Sequence, residues 1–131
     1  MNIIAREWGN FLSETDWSYT ATIRRHFPFT EMSAYKLATR LITNVTAIKK
    51  VFYSVERDRQ DSMNHMHLIL EVKDEDLTIK DVAIGANLSR NPKAIGNFGQ
   101  VDSKYGVAYY ASKEVGDRAM CYDYLTREMH L

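Results

Sequence analysis

The residues of this chain whose types and spacing could do chemistry stand in the run His65-Met66-His67-Leu68-Ile69-Leu70-Glu71-Val72. Read as a strand, its period of two puts Met66, Leu68, Leu70 and Val72 on one face and His65, His67, Ile69 and Glu71 on the other. The first face is apolar throughout and belongs to a core. On the second, two imidazoles share one side of one strand, roughly 7 Å apart along it, as two ligands of a metal site that needs a third. The plain alternative is the polar edge of a half-buried strand, and a lone His-x-His does not separate the two. A carboxylate at the same end would. Glu56 closes an earlier run of strand formers, Val51-Phe52-Tyr53-Ser54-Val55, and is the natural third ligand; Glu71 is the alternative, although it lies four residues beyond His67.

The elements that must position these groups can be read from periodicity and punctuation. Residues 2–13 place Ile3, Ile4, Trp8, Phe11 and Leu12 on about one side of a helix. Residues 17–25 alternate as a strand, with Trp17, Tyr19, Ala21 and Ile23 facing one way and Ser18, Thr20, Thr22 and Arg24 the other. Thr30 is a plausible N-cap for a long helix bearing Ala34, Leu37, Ala38, Leu41, Ile42 and Val45. The strand over 51–56 and the histidine strand should pair antiparallel, but the charged connection 57–64 exceeds a tight turn and leaves their register open. Thr78 caps a helix toward Leu88, ended by Asn91-Pro92; 98–103 reads as a strand; 105–115 reads as a helix terminated by Gly116; 119–125 reads as a last strand. The order argues for an α+β fold, a central antiparallel sheet of about 4–5 strands with helices mainly on one face and the histidine face partly open.

A length of 131 residues with 45% hydrophobic and 11% aromatic residues fits one domain with its own core. No stretch is apolar for long enough to cross a bilayer, so no membrane partner is expected. The single cysteine, Cys121, has no partner for an internal disulfide, and the N-terminus lacks the features of a secretion signal. The expected setting is intracellular. A formal net charge of zero means that any nucleic acid must be held by a local patch.

Three segments now stand in order: the polar-faced strand Trp17-Ser18-Tyr19-Thr20-Ala21-Thr22, then His65-Met66-His67-Leu68, then Tyr109-Tyr110-Ala111-Ser112-Lys113-Glu114 on a later helix. In that order they resemble the three motifs of the HUH rolling-circle replication initiators: a Thr-containing strand, His-hydrophobic-His, and Tyr-x-x-Lys. The resemblance spans residues 17–114 and implies an HUH-endonuclease, RRM-like sheet over one nicking domain, 1–131. It implies that Tyr110 is the nucleophile, Lys113 its motif partner, and Glu56 the acid that joins His65 and His67 on the metal. Tyr109, four residues before Lys113, is the alternative nucleophile. Where some members carry a second tyrosine this chain has Glu114, so a single-tyrosine enzyme is expected. The first motif is looser than the family's phenylalanine-led pattern, and no catalytic role is carried onto Thr20 or Thr22.

The chemistry is coherent without the family. A divalent cation on two imidazoles and a carboxylate, Mn²⁺ or Mg²⁺ by donor type, could polarise a phosphodiester. A phenol, ionising near pH ~10, is a weak nucleophile at neutrality and gains from a lysine one helical turn away. The product would be a covalent phosphotyrosine, a nick that can be rejoined, and the resemblance implies attachment to the 5′-phosphate side with a free 3′-hydroxyl. The partner the resemblance implies is single-stranded DNA at an origin, in the cytoplasm of a host cell, with a separate helicase and the host polymerase supplying unwinding and synthesis; monomer and dimer both remain open. The alternatives are a single-tyrosine HUH transposase and a non-catalytic module that binds single-stranded nucleic acid on the open sheet face.

Overall fold

In a computed structural model of the chain, which describes residues 2–59, 62–73 and 76–130, the longer helices start at side-chain caps. Asn2 accepts from the Ala5 amide ahead of α1 (Ile3–Leu12). Thr30 and Thr78 form reciprocal capping boxes with Ser33 and Asp81 at α2 (Glu31–Asn44) and α3 (Ile79–Gly85), and Ser103 caps α4 (Lys104–Ser112). A short α5 (Arg127–His130), which periodicity did not reveal, closes the described chain. Its Arg127 donates to the carbonyls of Ile42, Val45 and Ile48, satisfying the open end of α2.

Five antiparallel strands, β1 (Tyr19–Ile23), β2 (Ile48–Arg57), β3 (Asn64–Val72), β4 (Ile95–Gln100) and β5 (Ala119–Thr126), lie in the order β4-β1-β3-β2-β5. This is the α+β class expected, with helices packed against the sheet. Under α2 and α3, one core gathers Ala21, Ile23, Val51, Val55, Met66, Leu68 and Leu70. On the opposite face a smaller core joins Phe52 and Ile69 to Leu12 of α1 and Ala108 and Ala111 of α4. The alternation of β3 therefore divides as its sequence implied. Met66, Leu68 and Leu70 are each at most 1% exposed, and burial of each contributes ~1.5–3 kcal/mol. Slipping β3 by one residue would expose all three and bury both imidazoles, so the hydrophobic pattern itself holds the histidines on the second face.

Several boundaries differ from expectation, among them β2, which begins at Ile48 rather than Val51. Strand β1 is shorter, and Trp17 precedes it: the indole enters the smaller core, away from Tyr19, Ala21 and Ile23, and donates to the Leu12 carbonyl at 2.7 Å. Helix α3 ends at Gly85, ahead of Leu88, where Asn87 takes a positive φ of 60°. Strand β4 begins at Ile95, because a bulge opposite Ala21, with Asn97 at φ 50°, lets glycine-containing chain pair with β1. Helix α4 stops at Ser112, where the Val115 and Asp117 amides donate to the Ser112 and Glu114 carbonyls in turns that replace its ladder; Gly116, at φ 80°, sits in the following turn against Ile4.

Candidate active site

At one end of the second sheet face, strand pairing does what sequence could not settle. Glu56 stands opposite His65, Ser54 opposite His67, and on the other side Thr22 faces His67. Donor atoms of Glu56, His65 and His67 all lie within 4.8 Å of one another. His65 Nε2 and His67 Nε2 are 3.1 Å apart, and Glu56 Oε2 is 3.6 Å from His67 Nε2. Atoms bonded to one cation at about 2.1 Å and at right angles to each other are separated by about 3 Å, so the set has the spacing of adjacent ligands. Glu71 is opposite Lys50, further along β3, and is not in the cluster.

The outward nitrogens are held as well. His65 Nδ1 donates to Asp58 Oδ1 at 2.5 Å, and Arg24 grips both oxygens of Asp58 at 2.9 and 3.1 Å. In the neutral ring this bond places the His65 proton on Nδ1 and leaves Nε2 as a lone pair aimed into the cluster. Thr22 Oγ1 is 3.2 Å from His67 Nδ1. Its hydroxyl can donate to Nδ1 while His67 Nε2–H points at His65, or accept from Nδ1–H while Nε2 becomes a ligand. Asp58 and Thr22 are supporting residues that sequence reasoning missed. The available signal was the strand period: Asp58 is two residues past Glu56 and so on its side.

Charge in the cluster also fits a cation. Burial raises the pKa of the Glu56 carboxyl, against the pull of Lys113, His65 and the Ser54 hydroxyl 3.2 Å away. Burial, then the positive field of His65, Lys113 and Arg24, lowers His67 to about 4, so its imidazole is neutral at physiological pH. Although partial burial opposes it, Asp58 is held below the usual carboxylate range by hydrogen bonds from His65 and Arg24. A neutral imidazole at His67 and a buried carboxylate at Glu56 leave room in the cluster for a cation.

Helix α4 brings the phenol. Tyr110 is 54% exposed, its ring centroid is 6.0 Å from that of His67, and Lys113 Nζ is 4.2 Å from its ring centre. Lys113 follows the helix but keeps helical backbone angles, which preserves the one-turn offset. Tyr109 points elsewhere. Its hydroxyl donates to Asn10 Oδ1, and its ring fills the space beside Gly9 of α1, where a Cβ would collide with it. A cleft of about 520 Å³ joins Thr22, Glu56, Asp58, His65 and His67 to Tyr110, Lys113 and Glu114, with Arg24, Arg57, Arg59, Asn97 and Arg118 also lining it.

No family model, curated protein or solved structure matches the chain. What the site can do is then a matter of its own geometry: a His-His-Glu cluster that could hold a cation, an accessible phenol beside it, and a rim carrying four arginines. No described helix is long and apolar enough to cross a membrane.

Proposed function

We propose that this chain is a divalent-metal-dependent nuclease that nicks and rejoins single-stranded DNA through a covalent tyrosine intermediate, as its resemblance to the HUH initiators implies. The observation that carries the reading is the approach of the Tyr110 ring to His67, at 6.0 Å between centroids, with the donor atoms of Glu56, His65 and His67 within 4.8 Å of one another. A third of a chain separates the histidines from the tyrosine, and nothing in packing requires an exposed phenol there.

Glu56, His65 and His67 would hold the ion, Mn²⁺ or Mg²⁺, which when bound supplies positive charge to a non-bridging phosphate oxygen. Tyr110 Oη forms a bond to phosphorus as the bond from phosphorus to the 3′-oxygen breaks; the phenolic proton passes to water, and the leaving oxygen takes a proton to become a 3′-hydroxyl. Lys113, with its ammonium over the phenol ring, stabilises negative charge gathering on the phenolic oxygen and the phosphoryl group. Arg24 keeps Asp58, and through it His65, in place. The cleft volume is that of a site for a nucleotide-sized group. Reversal needs only the 3′-hydroxyl, because the phosphotyrosine conserves the energy of the broken linkage.

The test is incubation with a pool of single-stranded oligonucleotides and Mn²⁺, followed by peptide mass spectrometry. The expected result is a nucleotide adduct on Tyr110, absent with chelator. Metal-dependent binding without any adduct or cleavage would favour a binding module instead.

A further inference from the structure

Beside the cleft, the sheet face is bare where two glycines of β4 meet β1. Gly96 is opposite Thr22, which contacts His67, and Gly99 is opposite Thr20, so both lie on the histidine face. Asn97, between them, lines the cleft, and its left-handed backbone carries the bulge. The glycines themselves have no positive φ, and a Cβ added to either would meet nothing within 4 Å. Neither backbone conformation nor packing inside the protein asks for glycine there. Glycine in a strand nevertheless costs stability relative to residues with a side chain, and such a position marks a place where something approaches the backbone closely.

We infer that the strip of Thr20, Gly96 and Gly99 is the floor on which the single strand lies as it enters the cleft, a nucleotide beside the scissile phosphate resting flat on exposed backbone. The inference rests on the nuclease reading. The Thr22–Gly96 pair joins floor to cleft, and Arg24 and Arg118 on the cleft wall suit a polyanion. Side chains at 96 or 99 would stand between the strand and its seat while fitting the free protein.

The prediction pairs opposite signs. Gly96→Ala, Gly99→Ala and Gly99→Thr, each made in the Tyr110→Phe background that binds without cutting, are tested by fluorescence anisotropy with Mn²⁺. The probe is the labelled single-stranded oligonucleotide from a random pool that the Tyr110→Phe parent binds most tightly. Affinity should fall roughly tenfold for alanine, the scale of one base contact, and further for threonine. The melting temperature should stay level or rise, and Mn²⁺ binding without DNA should be unchanged. Affinities equal to the parent overturn the floor alone, and a fall in melting temperature overturns it too, by showing that the fold requires these glycines. A parent that binds no member of the pool overturns the nuclease reading as well.

Discussion

Tyr109 and Tyr110 are chemically identical neighbours about 100° apart around α4, and what separates them is what each ring meets. Tyr109 is spent on holding α4 to α1 through Asn10 and the gap over Gly9, whereas Tyr110 stands exposed beside His67. Tyr110→Phe should therefore abolish the covalent adduct with no loss of melting temperature. Tyr109→Phe should keep the adduct and lose about 1 kcal/mol with its hydrogen bond. Peptide mapping and a thermal melt on both variants read this, and an adduct that persists in Tyr110→Phe would make the assignment wrong. The spacing to Lys113 favoured Tyr110 in the sequence, but the role of Tyr109 depends on Asn10, 99 residues away, and no local pattern carries that. Asp58 is a second case of one residue acting through another. Replacing it by Asn removes the charge that holds the His65 proton outward, so Mn²⁺ affinity by isothermal titration should drop about 10–100-fold with the fold intact. An unchanged affinity would mean that His65 needs no such orientation.

Strand β2 carries the conflict between stability and site. Glu56 is buried, and burial raises its carboxyl above the unfolded value. A raised carboxyl stabilises the fold below its unfolded pKa and loses that contribution as pH rises through the folded one, so at neutral pH the ionised form is a cost. Glu56→Gln keeps the shape without the charge. Its melting temperature at neutral pH in chelator should rise by a few degrees, and the shift caused by Mn²⁺ should vanish. A lower melting temperature in chelator would instead make Glu56 a structural ion-pair partner. Element by element, the sequence disclosed what a short period can encode. The faces of β3, the caps at Thr30 and Thr78, and β2 as the partner of β3 were all legible. Register was not, because the connection between β2 and β3 is too long to dictate it, and with register went Asp58 and the contact of Thr22 with His67. Strand β4 was placed three residues late, because the bulge opposite β1 breaks the alternation that would mark its start.

At the scale of the whole molecule, folding and the proposed metal binding draw on the same groups, and pH separates them. His67 is held neutral down to about pH 4, while a histidine in the unfolded chain protonates near ~6.5. Between these values the unfolded state binds the extra proton, so stability rises with pH across that window and is lost as pH falls from ~6.5 toward 4, by at most ~3 kcal/mol. Asp58, held low, adds a further loss below the unfolded carboxylate range, while Glu56, held high, opposes the fall. In chelator, the melting temperature should therefore decline from pH 7 to pH 4, and His67→Gln should flatten that decline. Adding Mn²⁺ at about 100 times its dissociation constant should raise the melting temperature at pH 7 by on the order of 10 °C, through ~2.7 kcal/mol of linkage. The increment should shrink as pH falls toward 4, where protons compete with the ion for the His67 imidazole. A scanning-fluorimetry grid of pH against Mn²⁺, on wild type and His67→Gln, reads all of this. An Mn²⁺ increment that survives in His67→Gln would place the bound ion elsewhere and detach the phenol from it.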